Sequence, residues 1–370
     1  MGNLSKLSLH FLFLLLNLLI KLTSSQIKIG SPSNNHVALF IFGDSLFDAG
    51  NNNYLKNAGK ANFFPYGETF FHPPTGRFSD GRLIPDFIAD YLNLPLIEPY
   101  LRPGNRNYTN GVNFASGGAG ALLETFPGKT IDLKTQVNYF KKVRKQLKQR
   151  LGSNATSTLL SNAIFLFSIG INDYSRRFST NSSFIPFYSK QDYVKMVIHN
   201  VSAVLQEIHK NGGRKFVIAN VAPLGCLPNM RAQNHGGCMN EVSGLVKMHN
   251  YELDILLQSL EHQLQDFQYV YFNLYDSLIQ RINYPSTYGF KEVKAACCGV
   301  GPYRGMGNCG RKGVYELCED PNKYLFFDGH PTQKANYQLA QLLWSGKNKR
   351  FIRPYNLQHL SQVELKMFMK

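Results

Sequence analysis

Five short apolar runs, separated by loops and by stretches with helical spacing, decide the fold class of this chain. Residues 37–42 (VALFIF), 111–116 (GVNFAS), 163–169 (AIFLFSI), 215–221 (KFVIANV) and 268–275 (QYVYFNLY) are rich in Val, Ile and Phe. Runs of this length and composition read as strands, not buried helices. Near 133–151, 190–211, 239–266 and 333–346 the apolar residues recur at helical spacing instead. Strands that alternate with helices favour a parallel sheet covered on both faces. No linker-like stretch divides the chain, so one α/β domain with a central parallel sheet of about five strands is expected. The segments 50–110 and 281–325 are rich in Gly, Asn, Pro and Tyr and read as long loops around that sheet, where function tends to concentrate.

The N-terminus carries a different signal. Residues 7–20 are apolar, Lys6 precedes them, and Thr23, Ser24 and Ser25 follow. The run falls short of the roughly 20 residues a membrane span needs, and the small residues after it suit a signal peptidase. Residues 1–25 are therefore expected to be a secretory signal peptide, the rival being a membrane anchor. That leaves a domain of residues 26–370, with no later segment apolar enough to cross a bilayer. Secretion makes the cysteines intelligible. All six lie after residue 225, and an even count in an oxidising compartment favours disulfides. Cys226 with Cys238 is the natural local loop; Cys297, Cys298, Cys309 and Cys318 share the other pairings, among which the sequence does not choose. Zinc is the rival, but there is no C-x-x-C pair and adjacent Cys297 and Cys298 are poor ligands, so no metal is expected. Asn107, Asn154, Asn181 and Asn200 head glycosylation sequons.

The formal net charge of +16 raises the question of nucleic acid. The densest basic stretch, KKVRKQLKQR at 141–150, lies on a pattern in which Leu133, Val137, Phe140, Val143, Leu147 and Leu151 form the apolar stripe. The lysines fall mainly on the opposite face, which a solvated helix explains. No nucleic-acid partner is expected; anionic wall polymers or an anionic lipid surface suit a secreted chain better. The basic tail from 347 is weakly patterned and suggests no function.

Open α/β sheets bind ligands at the carboxyl ends of their strands. Gly43-Asp44-Ser45 follows the first run, Ser116-Gly117-Gly118 the second and Gly170-Ile171-Asn172-Asp173 the third, while Asp328-Gly329-His330-Pro331 lies near the C-terminus. These are the parts of an acyl-transfer site. A serine needs a base, histidine titrates in the useful range, and a carboxylate holds its tautomer. Glycine exposes its backbone N–H and asparagine supplies an amide, both suited to an oxyanion. Taken singly, each residue has an ordinary reading as a turn former, helix cap or structural histidine; their coincidence at strand ends is the signal. His72, His199, His209, His235, His249 and His262 lack such a context and read as surface or loop residues. No G-x-S-x-G elbow, Walker loop, dinucleotide fingerprint or H-E-x-x-H is present.

Phe42-Gly-Asp-Ser-Leu-Phe-Asp-Ala-Gly-Asn-Asn-Asn53 resembles the first block of the plant GDSL-type esterase/lipase family of SGNH hydrolases. Pro65-Tyr-Gly, Thr75-Gly-Arg-Phe-Ser-Asp-Gly-Arg82, Asn113-Phe-Ala-Ser-Gly-Gly-Ala-Gly120, Gly170-Ile-Asn-Asp173, Pro223-Leu-Gly-Cys-Leu-Pro228 and Ala296-Cys-Cys-Gly299 resemble later blocks, in order, from about residue 37 to 345. The resemblance implies a flavodoxin-like α/β/α sandwich and serine hydrolysis of carboxylic or lipid esters without a cofactor; a secreted chain of this kind is expected in the apoplast or cell wall. It carries the nucleophile onto Ser45, the oxyanion donors onto Ser45, Gly118 (or Gly117) and Asn172, and the charge-relay pair onto Asp328 and His330.

One departure stands out. The family places two residues between its Asp and His; here Gly329 alone separates Asp328 from His330. Side chains two apart share a face in an extended segment, not in a helical turn, and Pro331 biases His330 towards extended backbone. The pair is therefore expected to reach one site with altered aim. An acyltransferase using the same triad, and a catalytically weak wall- or carbohydrate-binding protein, are the rival readings.

Overall fold

Each apolar run forms a strand: β1 (Leu39–Gly43), β2 (Gly111–Asn113), β3 (Ile164–Ser168), β4 (Lys215–Ala219) and β5 (Gln268–Phe272). The computed structural model describes residues 37–104, 106–177, 188–307, 309–310 and 314–363. The expected signal peptide, residues 1–25, and Asn181 lie outside them. The described residues fall in one compact unit, Val37–Lys370.

The helices are α1 (Ile84–Tyr91), α2 (Leu133–Leu151), α3 (Ser153–Asn162), α4 (Ile171–Arg177), α5 (Lys190–Lys210), α6 (Pro228–Gln233), α7 (Asn240–Gln263), α8 (Leu274–Asn283), α9 (Gln333–Ser345) and α10 (Leu357–Gln362). Capping side chains account for several starts. Asp132 accepts from the Thr135 N–H at 2.9 Å before α2, and Ser189 from the Asp192 N–H at 3.1 Å before α5.

β1 to β5 pair in parallel in the order β2-β1-β3-β4-β5. The register sets Phe40 beside Phe165 and Phe165 beside Phe216, and likewise Phe42 beside Phe167. In-register neighbours of a parallel sheet point to the same face, so these rings stack, at 5.4, 5.6 and 4.8 Å between centroids. Phe140 of α2 meets Phe40 edge-on at 5.6 Å and ties the helix to this ladder.

The weakly patterned basic stretch from 347 contributes to the fold. Ile352–Arg353 forms a further strand of the main sheet, antiparallel to β5, and Leu357 and Leu360 of α10 are fully buried. Cys226–Cys238 forms as the local loop, and the remaining cysteines pair as Cys297–Cys318 and Cys298–Cys309, both stapling the segment 281–325. Asn107 and Asn154 are exposed, whereas Asn200 is half-buried and donates to the Met196 carbonyl at 2.9 Å. Lys141, Lys142, Lys145, Lys148 and Arg150 are exposed on α2. Among the described residues no helix is long and apolar enough to cross a membrane.

Candidate active site

The strand order reverses between β1 and β3, and such a switch point opens a crevice at the carboxyl ends of the strands. Ser45 lies two residues beyond β1 and is 9% exposed. The bend that delivers it starts at Gly43, whose φ is 144° and where a Cβ would stand 2.1 Å from the Ser168 carbonyl oxygen. Only glycine fits there. Gln136 of α2, wholly buried, clamps the same residue. Its Oε1 accepts from the Gly43 N–H at 2.9 Å, and its Nε2 donates to the Gly43 and Ile131 carbonyls, each at 2.8 Å.

Asp328 and His330 lie on the loop between Tyr324–Phe326 and α9. His330 Nδ1 donates to Asp328 Oδ1 at 2.7 Å, and Ser45 Oγ stands 2.7 Å from His330 Nε2. With the carboxylate as acceptor, the proton sits on Nδ1 and the Ser45 hydroxyl donates to Nε2. The shortened spacing takes the form of an Asx turn: the His330 backbone N–H also donates to Asp328 Oδ1, at 2.9 Å. The His330 carbonyl accepts from the Phe327 N–H at 2.8 Å, closing the loop on itself. Burial opposes charge on His330, but Asp328 beside it, aided by Asp44, holds its pKa above the ordinary value. Burial would raise the Asp328 carboxyl, yet His330, Tyr66 and the backbone N–H together hold it below.

Of the expected oxyanion donors, Ser45 and Asn172 line one cavity. Gly118 lies in the turn after β2, where the Ser116 N–H donates to the Gly43 carbonyl at 3.0 Å and the Ala119 N–H to the Ser116 carbonyl at 3.0 Å. Of the two candidate glycines, Gly117 has its N–H spent on Asp48 Oδ2 at 2.9 Å. No partner within the described residues takes the N–H of Gly118 or Ser45. Asn172 Nδ2 donates one hydrogen to the Ala119 carbonyl at 3.0 Å, which orients the amide and leaves its second hydrogen available. Asp173 anchors the turn, accepting from the Ala121 and Leu122 N–H groups at 2.9 and 3.1 Å.

A cavity of about 160 Å³ opens beside Ser45 and His330. Leu46, Ile171, Leu224, Leu227, Leu278 and Phe326 give it apolar walls, with Asn172, Ser175 and Asn229 as polar lining. Leu224 and Leu227 flank Cys226, so the Cys226–Cys238 disulfide fixes that wall.

Several structural partners escape a motif reading. Buried Asp44, with Oδ1 on the Leu46 N–H at 3.1 Å, has its carboxyl pushed up to about 7 by burial, the Leu46 N–H and His330 opposing. Asp48 gathers the N–H groups of Gly50, Asn51 and Gly117 at 2.7, 2.6 and 2.9 Å, yet burial still lifts it to about 6. Gln136 left a trace, since it falls in helical register with Phe140, Val143 and Leu147. His249 corrects the expectation of a surface or loop residue: it is buried in α7, its Nδ1 stands 2.6 Å from the Tyr174 hydroxyl, and burial drives its pKa down to about 3. His72, His199, His235 and His262 are exposed.

The family model described as GDSL-like Lipase/Acylhydrolase matches residues 39–343. GDSL esterase/lipase 1 of Arabidopsis thaliana is 49% identical over 341 residues, covering 89% of this chain and 91% of that protein. GDSL esterase/lipase 5 of the same plant is 47% identical over 353 residues, covering 92% and 91%. The GDSL lipase of Tanacetum cinerariifolium is 46% identical over 332 residues, covering 89% and 88%. Among solved structures, a catalytic mutant of an acetylxylan esterase from Geobacillus stearothermophilus is 13% identical, covering 85% of this chain and 95% of that one. Its TM-score of 0.36 is too slight a likeness to carry an argument.

Proposed function

The chain belongs to the GDSL-like lipase/acylhydrolase family, and from that premise we propose that it is a secreted serine esterase acting on carboxylic esters. Ser45 Oγ attacks the ester carbonyl as His330 Nε2 takes its proton. The developing oxyanion accepts from the N–H groups of Ser45 and Gly118 and from the free hydrogen of the Asn172 amide. His330 then passes the proton to the leaving alcohol, Asp328 holding the imidazole in register throughout. Water, activated by the same histidine, releases the acid and frees Ser45.

The observation that carries this reading is the unbroken chain Asp328–His330–Ser45, two contacts of 2.7 Å beside uncommitted N–H donors. The Asx turn, in which the His330 N–H and Nδ1 both reach Asp328 Oδ1, supports the reading despite the short Asp–His spacing. The apolar cavity suits an acyl chain, which would lie against Leu224, Leu227 and Leu278. Three disulfides and the apolar leader expected at residues 1–25 support a secretory route. The exposed lysines of α2 are the face on which anionic wall polymers or lipid would hold the protein. The test is turnover of short and long p-nitrophenyl esters by the secreted protein and by Ser45→Ala. Turnover lost in the variant supports the proposal; no turnover by folded parent protein refutes it.

A further inference from the structure

Asp328 has two carboxylate oxygens and uses them differently. Oδ1 takes both the backbone N–H and the ring Nδ1–H of His330, at 2.9 and 2.7 Å. Both bonds share one oxygen, so they leave the carboxylate free to turn about that end. Oδ2 accepts from the Tyr66 hydroxyl at 2.7 Å, across 262 residues of sequence. Among the described residues no other donor reaches Oδ2. Flexible Gly329, with open space around it, gives the loop no steric hold of its own.

Tyr66 is itself firmly held. It is 7% exposed and meets Phe63, Phe78 and Phe327 edge-on at 5.4, 6.2 and 5.5 Å. The same Phe78 lies 5.3 Å from the His330 ring. Below them sit Cys297, Cys298, Cys309 and Cys318, packed with Tyr66 and Phe327 in one cluster. The Cys297 and Cys298 N–H groups donate to the Phe326 and Phe327 carbonyls at 2.9 and 2.6 Å. The two cystines thus make a rigid floor that carries the acid-base loop and the tyrosine together.

We propose that Tyr66 is a positioning residue for the hydrolytic triad: its hydroxyl fixes the second oxygen of Asp328 and so sets the aim and basicity of His330. The inference rests on the esterase reading of the site. Burial, with Asp328 adjacent, pushes the Tyr66 hydroxyl well up from its ordinary value, so it donates across the working pH range. By stabilising the carboxylate, that donor weakens the pull of Asp328 on the His330 proton. The charged or titratable groups acting on His330 are Asp328 and Asp44, and those acting on Asp328 are His330 and Tyr66.

Tyr66→Phe removes the hydroxyl and keeps the ring among its aromatic neighbours. The variant is expected to lose about tenfold in kcat with KM little changed, the size of one lost hydrogen bond to a charged group. Its acid limb in kcat/KM should move to higher pH, because the unshared carboxylate holds the histidine proton more tightly. The low-field proton resonance of His330 Nδ1–H should move in the folded protein, with or without turnover. Site-specific 3-fluorotyrosine at position 66, a stronger donor, should displace limb and resonance the opposite way. An unmoved resonance in both proteins overturns the proposal. So does a Tyr66→Phe enzyme whose kcat falls while limb and resonance stay put, since packing alone would then explain the loss. The resonance keeps the test separate from the esterase reading: a parent with no turnover refutes that reading, while the resonance still reports on Tyr66.

Discussion

Gln136→Leu tests whether the nucleophile depends on a buried amide that touches no substrate. The side chain is fully buried and makes three hydrogen bonds at the end of β1. Leucine keeps most of the volume and removes all three. The Gly43 carbonyl retains the Ser116 N–H as donor, but the Gly43 N–H and one lone pair of the Ile131 carbonyl lose their partner. At about 1–3 kcal/mol for each orphaned buried group, the loss is about 2–6 kcal/mol. At roughly 2 °C per kcal/mol for a domain of this size, Tm should fall by about 4–12 °C. Gly43 is two residues from Ser45, so relaxation of its peptide re-aims Oγ, and a shift of about 1 Å costs roughly 100-fold in kcat. Gln136→Glu refines the test. Its ionised carboxylate would face two carbonyls, so burial favours the protonated form, which can still donate once. Its pKa in the folded protein is therefore raised, and its stability relative to the parent should worsen as pH rises through that pKa. Thermal melts and p-nitrophenyl ester kinetics read both variants. A Gln136→Leu enzyme that melts within about 2 °C of the parent and keeps its kcat refutes the reasoning.

Three further outcomes follow from the geometry. Asn172→Ala should lower kcat by about 10²–10³ with little change in KM, because its amide acts on the oxyanion and not on the ground-state ester; an equal rise in KM would contradict that. The acid limb of kcat/KM should lie above the ordinary histidine value of about 6.5. His330 must be neutral to accept the proton, and Asp328 and Asp44 hold its pKa up against burial; a profile flat from pH 6 to 8 would rule out a histidine base. Leu278→Ala should deepen the cavity beside Ser45 and shift kcat/KM towards longer acyl chains by about tenfold per accommodated methylene, read from a series of p-nitrophenyl esters.

What could be read from the chain in advance was whatever depends on local pattern. The five apolar runs became five parallel strands because a strand buried on both faces must be apolar nearly throughout. The residues after β1, β2 and β3 converged because parallel strands end on the same edge. Asp328 and His330 meet across Gly329 alone because the turn between them is not helical, and Asp328 Oδ1 takes both the N–H and the Nδ1–H of His330. The strand Ile352–Arg353 went unseen because two residues are too few to display a period. Tyr66 went unassigned for a different reason. It lies in the family-like block Pro65-Tyr-Gly, but a hydrogen bond across 262 residues has no local signature. Gln136 lies between these cases. A polar side chain in register with Phe140, Val143 and Leu147 breaks the apolar stripe of α2, and a buried amide at such a break must find partners or destabilise the fold. Its partners proved to be the peptide groups of Gly43 and Ile131. A polar residue on an otherwise apolar helix face therefore marks where a helix grips the backbone of its neighbour, and here that grip lies two residues from Ser45.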